Sequence, residues 1–142
     1  MEEQIFLTIR TSQQVPGEPV ENMELQTAGI LRREEDAVEL SYVETRITGL
    51  EGVNTTFRIR GNREVALLRD GEKMQNNMIF RLGEKTDSLY DVGFGALLVS
   101  VTAQEIRLDL DEGFFRVEYT VEVEHTFMGT NTYEVSFRSL NE

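Results

Sequence analysis

The sequence predicts an all-β protein, a closed antiparallel up-and-down barrel of about eight to ten strands. Three observations carry that prediction. Apolar and polar residues alternate with a period of two along most of the chain, which is the repeat of a strand with one buried face. Turn signals interrupt the alternation at short intervals, and no stretch has a convincing helical period. The links are short enough to be hairpins, which favours up-and-down order over crossings. Closure also removes the edge strands that would otherwise endanger a chain so rich in Val, Ile and Thr.

The elements follow in order along a single domain, residues 1–142. Ile5, Leu7 and Ile9 share one phase and open the first strand. Residues 12–21 hold both prolines and read as the loop to the second strand. Glu34-Glu35-Asp36 marks a solvated turn, and Val38, Leu40 and Tyr42 give the next inward face. Val53, Thr55, Phe57 and Ile59 follow, then the Gly61-Asn62 turn. Asp70-Gly71 precedes a strand that carries Met74, Asn76, Met78, Phe80 and Leu82 in phase. Gly83-Glu84 is another turn, and Gly93-Phe94-Gly95 is a bend before a long strand. Gly, Asn and Asp recur at these places because they tolerate the positive φ of tight hairpins.

Within the long strand the apolar phase flips between Val99/Val101/Ala103 and Ile106/Leu108/Leu110. A one-residue bulge produces such a flip. Asp111-Glu112-Gly113 turns the chain into its clearest alternation. Phe115, Val117, Tyr119, Val121, Val123, His125 and Phe127 share one phase there, and the intervening positions are polar. Gly129-Thr130-Asn131 is the expected last turn, before Tyr133, Val135 and Phe137. The outward stripe Glu118, Glu122 and Glu124 is expected to face Arg58 or Arg60 across a ladder.

Composition excludes much chemistry. There is no Cys and one His, so the chain has no thiol nucleophile, thiolate metal site, disulfide or two-imidazole site of its own. With 14 basic and 26 acidic side chains the net charge is −12. That disfavours nucleic acid, whose phosphates are bound by Lys and Arg, and equally an anionic membrane surface. The N-terminus lacks the basic start and apolar run of a signal peptide, so a cytoplasmic protein is expected. No nucleotide-binding glycine loop or nucleophile elbow is present. Asp109-Leu110-Asp111-Glu112-Gly113 only starts like a calcium loop, because Thr120 stands where the bidentate Glu belongs. No cofactor or metal is expected.

Strand parity sharpens one hypothesis. If residues 37–46 run up, then 63–69, 87–92 and 113–127 run up as well, and 53–60, 73–82, 95–110 and 130–138 run down. Glu44, Arg69 and His125 then end their strands at one mouth, each in phase with its strand's apolar set. Tyr133 and Thr55 enter from the same mouth. A few polar groups over an apolar interior are the composition of a small-ligand site. The competing reading is a structural polar cluster in a filled barrel, with Glu44 as the partner of a buried Arg69.

Several of these segments also resemble the YwiB-like family of small, uncharacterised bacterial proteins. The resemblance rests on Leu40-Ser41-Tyr42-Val43-Glu44, Leu68-Arg69-Asp70-Gly71 leading to Lys73-Met74, Phe94-Gly95, Asp109-Leu110-Asp111 and Tyr119. It implies a calycin-like barrel similar to lipocalins, a group whose members often carry a small apolar ligand. The expected function is a non-enzymatic barrel that binds a small amphipathic ligand through Tyr42, Glu44, Arg69, His125 and Tyr133. The alternative is a non-catalytic interaction or scaffold protein with a filled interior and an exposed apolar patch, for which a homodimer is one expected form.

Overall fold

The computed structural model describes residues 2–45, 50–72, 75–91 and 95–140. Ten strands follow one another: β1 (Glu2–Gln14), β2 (Glu21–Arg33), β3 (Ala37–Val43), β4 (Asn54–Arg60), β5 (Glu64–Asp70), β6 (Gln75–Arg81), β7 (Lys85–Asp91), β8 (Ala96–Asp109), β9 (Phe114–Val123) and β10 (Thr126–Ser139). They form one antiparallel sheet in the order β6-β5-β4-β3-β2-β1-β10-β9-β8-β7. Every neighbour is sequential except β1 and β10, which pair from Ile5↔Ser139 to Gln14↔Thr130. The expected meander is therefore present.

The barrel is nearly closed rather than closed. β6 and β7 are the two ends of the sheet. No ladder joins them among the described residues. The Thr86 hydroxyl donates to the Ile79 carbonyl at 2.5 Å, and Gly83 N–H to the Ala103 carbonyl at 2.9 Å. Both contacts lie towards the end of the barrel where the chain turns at 82–84. Nearer the other end, the Tyr90 hydroxyl makes a weak contact with Met78 Sδ, 3.8 Å, across the seam.

The inward phase reads as expected. Ile5, Leu7, Leu31, Leu40, Phe57, Ile59, Val65, Leu67, Phe80, Phe115, Val117 and Val135 are fully buried. Each such side chain contributes about 1.5–3 kcal/mol by leaving water. The phase flip in the long strand is a bulge, with the register to β9 shifting between Ala103 and Glu105. The polar outer face carries ion pairs such as Arg58–Glu39 and Lys85–Glu122. Arg116 reaches Glu105, Glu134 and Glu118. Glu118 and Glu122 thus meet Arg116 and Lys85 rather than Arg58 or Arg60, because β9 lies between β8 and β10, far from β4.

Two turns differ from expectation. The first loop is shorter than 12–21, since β1 pairs on to Gln13↔Glu21 and Gln14↔Thr130. Only 15–20 stay out of the sheet, and these include both prolines, which have no N–H for a ladder. The β9–β10 turn falls at Glu124 and His125, φ 48° and 70°, not at 129–131. Gly129 serves the bulge between Phe127 and Gly129 instead. At φ 140°, a Cβ there would lie 2.1 Å from the Gln14 carbonyl oxygen. The expected strand ends at 46, 73–74 and 92, and the bend at 93–94, lie outside the described residues.

Candidate functional site

Polar side chains gather inside one end of the barrel because neighbouring strands bring them into register. Tyr42 pairs with Thr55, Thr55 with Arg69, and Arg69 with Asn76. Direct partners in an antiparallel ladder point to the same face, so these four form an inward row across β3, β4, β5 and β6. Glu44 lies one inward step beyond Tyr42 and is 2% exposed. The Thr55 hydroxyl, itself fully buried, donates to Glu44 Oε2 at 2.5 Å.

The opposite wall answers this row with aromatic groups. Arg69 Nη2 donates to the Tyr133 hydroxyl at 2.8 Å. Tyr133 stacks with Tyr119, ring centres 6.2 Å apart, and meets Phe57 edge-on at 5.6 Å. Tyr119 packs on Phe80 at 4.5 Å. Tyr42, Tyr90, Tyr119 and Tyr133, all four tyrosines of the chain, belong to or pack against the barrel core.

Burial sets the electrostatics. Loss of solvation, and then the nearby Glu44, pushes the Tyr42 phenol far above its usual range. Burial does the same to Tyr119, with Tyr133 adding to it. Tyr90 rises through burial against the opposing effect of Arg69. Burial alone would lower the Arg69 guanidinium, but the phenols of Tyr133 and Tyr90 and the Glu44 carboxylate outweigh it and hold it above its ordinary value. The phenols of Tyr42, Tyr90 and Tyr119 are therefore neutral donors and acceptors, and Arg69 is a cation.

The row is not fully satisfied. Glu44 Oε1, Arg69 Nε, and both Asn76 Nδ2 and Oδ1 are sealed from solvent without a hydrogen-bond partner among the described residues. Buried polar atoms are nearly always paired, and each exception calls for an explanation. Behind this row, on the outer face of β4, β5 and β6, lies a groove of about 760 Å³ walled by Thr56, Leu68, Asp70 and Asn77 and reaching Ser88 and Leu89 on β7. That is ample for a small molecule. The groove reaches the β6–β7 seam from outside, whereas the four unpartnered atoms face the barrel interior.

Four of the five expected residues, Tyr42, Glu44, Arg69 and Tyr133, come together. His125 does not: it occupies the exposed β9–β10 turn in the left-handed conformation, since β9 ends at Val123, four residues before the alternation through Phe127 does. Asn76, Tyr90 and Tyr119 complete the cluster. Asn76 and Tyr119 carry a legible signal, a polar group in the apolar phase of a strand. Among the described residues, no three acidic or His side chains are grouped to hold a metal ion, and no helix is long and apolar enough to cross a membrane.

Comparison with known proteins adds a family and a fold. A family model described as Domain of unknown function (DUF1934) matches residues 7–135. No curated protein matches the chain. The crystal structure of ywiB protein from Bacillus subtilis is similar, with a TM-score of 0.76 and 25% identity over 97% of this chain and 94% of that chain.

Proposed function

The chain belongs to the DUF1934 family of unknown function, the YwiB-like family, and from that membership and the geometry above we propose that it is a non-enzymatic barrel that binds a small amphipathic ligand. The ligand's polar end meets Arg69 and Asn76, with Tyr42, Glu44 and Tyr133 behind them. The observation that carries this reading is the set of unpartnered buried atoms on Glu44, Arg69 and Asn76. A structural cluster would satisfy its own members, because a half-satisfied buried network is less stable than an apolar core.

The interior below the row is filled by Phe57, Phe80 and Phe115. The ligand therefore sits above these rings, at the barrel mouth, with its polar end against the row. Melting the protein against a panel of small amphipathic compounds tests this. A compound at 100 times its dissociation constant adds about 2.7 kcal/mol, and Arg69→Met should abolish the gain. A panel that leaves the melting temperature unmoved removes the ligand reading.

The same filled interior favours the second reading, an interaction protein. Phe127 and Met128 are 52% and 44% exposed beside the β9–β10 turn and would form the contact, in a homodimer or with another protein. Light scattering of the wild type and of Phe127→Ser decides: an assembly lost in the variant supports it, and a strict monomer at high concentration rejects the homodimer.

A further inference from the structure

β2 lies inside the sheet order, between β1 and β3, yet much of one edge is free. Its ladder to β1 runs from Glu2↔Arg32 to Gln13↔Glu21. Its ladder to β3 starts at Arg33↔Val38 and stops at Ile30↔Ser41. From Gly29 back to Glu21, no strand pairs with the β3 side of β2 among the described residues. The two strands fork there, and β3 ends at Val43.

Two hydrogen bonds show which groups the fork leaves bare. Leu140 N–H donates to the Gln4 carbonyl at 3.0 Å, and Glu34 N–H to the Ala37 carbonyl at 2.8 Å. In an antiparallel ladder, alternate residues turn both main-chain groups to the same neighbour. Gln4 faces β10, so Leu7, Ile9 and Thr11 face β2 and bond Thr27, Leu25 and Met23. Asn22, Glu24 and Gln26 therefore direct their N–H and C=O groups to the free edge. Glu34 belongs to the same alternate set and bonds on the β3 side, as this requires. All three residues are exposed.

A bare edge is a template for an added strand, and the surroundings select its chemistry. Glu18, Glu21 and Glu24 line the end of the edge and are exposed. Arg10 pairs with Glu24 at 2.7 Å, and no ion pair holds Glu18 or Glu21 among the described residues. A second copy would bring the same carboxylates and a further net charge of −12, so a basic partner fits better. Met23, in the inward phase of β2, is 41% exposed. At the fork, a groove of about 430 Å³ on the outer face is walled by Ala28, Ile30, Val43 and Leu140.

We propose that the free edge of β2 takes an extended basic segment of a partner protein as an added antiparallel strand. Its main chain bonds Asn22, Glu24 and Gln26. Its basic side chains lie on the outer face, where Glu24 is, and its alternate apolar side chains cover Met23. An apolar residue at the fork enters the groove beside Val43. This surface is separate from the polar row inside the barrel, and neither reading depends on the other.

The probe is the labelled peptide acetyl-Phe-Val-Lys-Val-Lys-Val-Lys-amide, titrated into the full chain and followed by fluorescence anisotropy. It should bind at least about tenfold tighter than the same peptide with Glu for Lys, equivalent to about 1.4 kcal/mol, and weaken as salt rises. N-methylation of its Lys amides, which face β2 in this register, should abolish binding, whereas N-methylation of its Val amides should not. Gln26→Pro removes one edge N–H without touching the ladder to β1 and should also abolish binding. If Gln26→Pro fails to fold by circular dichroism, the methylated peptides decide. Equal binding of the acidic peptide, equal loss from either methylation, or no binding at all overturns the proposal. A wild-type dimer that Gln26→Pro disperses overturns it too, by giving the edge to a second copy.

Discussion

The Arg69 guanidinium on β5 donates from Nη2 to the Tyr133 hydroxyl on β10 at 2.8 Å, joining strands five places apart in a ten-strand sheet. The bond therefore crosses the barrel and links walls that no ladder connects. Removing its acceptor with Tyr133→Phe leaves a second Arg69 nitrogen without a partner and should cost about 1–3 kcal/mol. A double-mutant cycle with Arg69→Met, read by urea unfolding, should give a coupling of at least about 0.5 kcal/mol. Additive single effects would mean that the bond does not form in solution.

Thr55 is the group that answers Glu44. Its hydroxyl is 2.5 Å from Oε2, and both residues are buried. Thr55→Val keeps the shape and deletes the donor, so it should destabilise by about 1–3 kcal/mol. Thr55→Ser, which keeps the donor and loses a methyl, should cost less. The order of the two unfolding midpoints checks the assignment, and the reverse order rejects it.

The raised phenols make stability fall in alkali. Burial lifts Tyr42, Tyr119 and Tyr90 above their ordinary value, which is about 10 in an unfolded chain. The folded state keeps these protons longer than the unfolded state does. Their contribution is thus complete below about pH 10 and is lost as pH rises through the higher folded values. The phenolate absorbance of Tyr42 and Tyr119 should appear together with loss of the native circular dichroism signal. Reversible titration of Tyr42, Tyr90 and Tyr119 near pH 10 in a folded protein would contradict this.

His125 holds φ 70° at the second position of a two-residue hairpin, where Gly is favoured. Relief of that strain outweighs the extra freedom Gly gives the unfolded chain. His125→Gly should stabilise by about 0.5–1 kcal/mol, and calorimetry should show a higher melting temperature. An unchanged or lower value would place the turn elsewhere.

Gly129 behaves oppositely. At φ 140° a Cβ would meet the Gln14 carbonyl oxygen at 2.1 Å, a backbone atom that cannot swing aside. Gly129→Ala should destabilise by more than about 1 kcal/mol. It should also weaken hydrogen-exchange protection at Gln14 and Thr130, which are paired in the ladder. Wild-type stability in this variant would show that β10 does not approach β1 as described.

Local alternation determined the strand class, the inward sets and even the bulge after Ala103, because a period of two fixes the face of each residue without reference to any other strand. The same alternation placed Tyr42, Glu44 and Arg69 on inward phases, and strand parity set Glu44 and Arg69 at one end. It misplaced His125, since continued alternation through Phe127 conceals a hairpin whose turn residues, Glu and His, carry no strong turn signal. It also read Gly129 as a turn when the residue answers a close approach by Gln14, a neighbour more than a hundred positions away. The partners of each polar group, the choice of Arg116 and Lys85 for the outer glutamates, and the open seam between β6 and β7 were decided only in three dimensions. Hydrogen bonds across a barrel depend on which walls face each other and at what register, and a single strand's pattern holds no record of either.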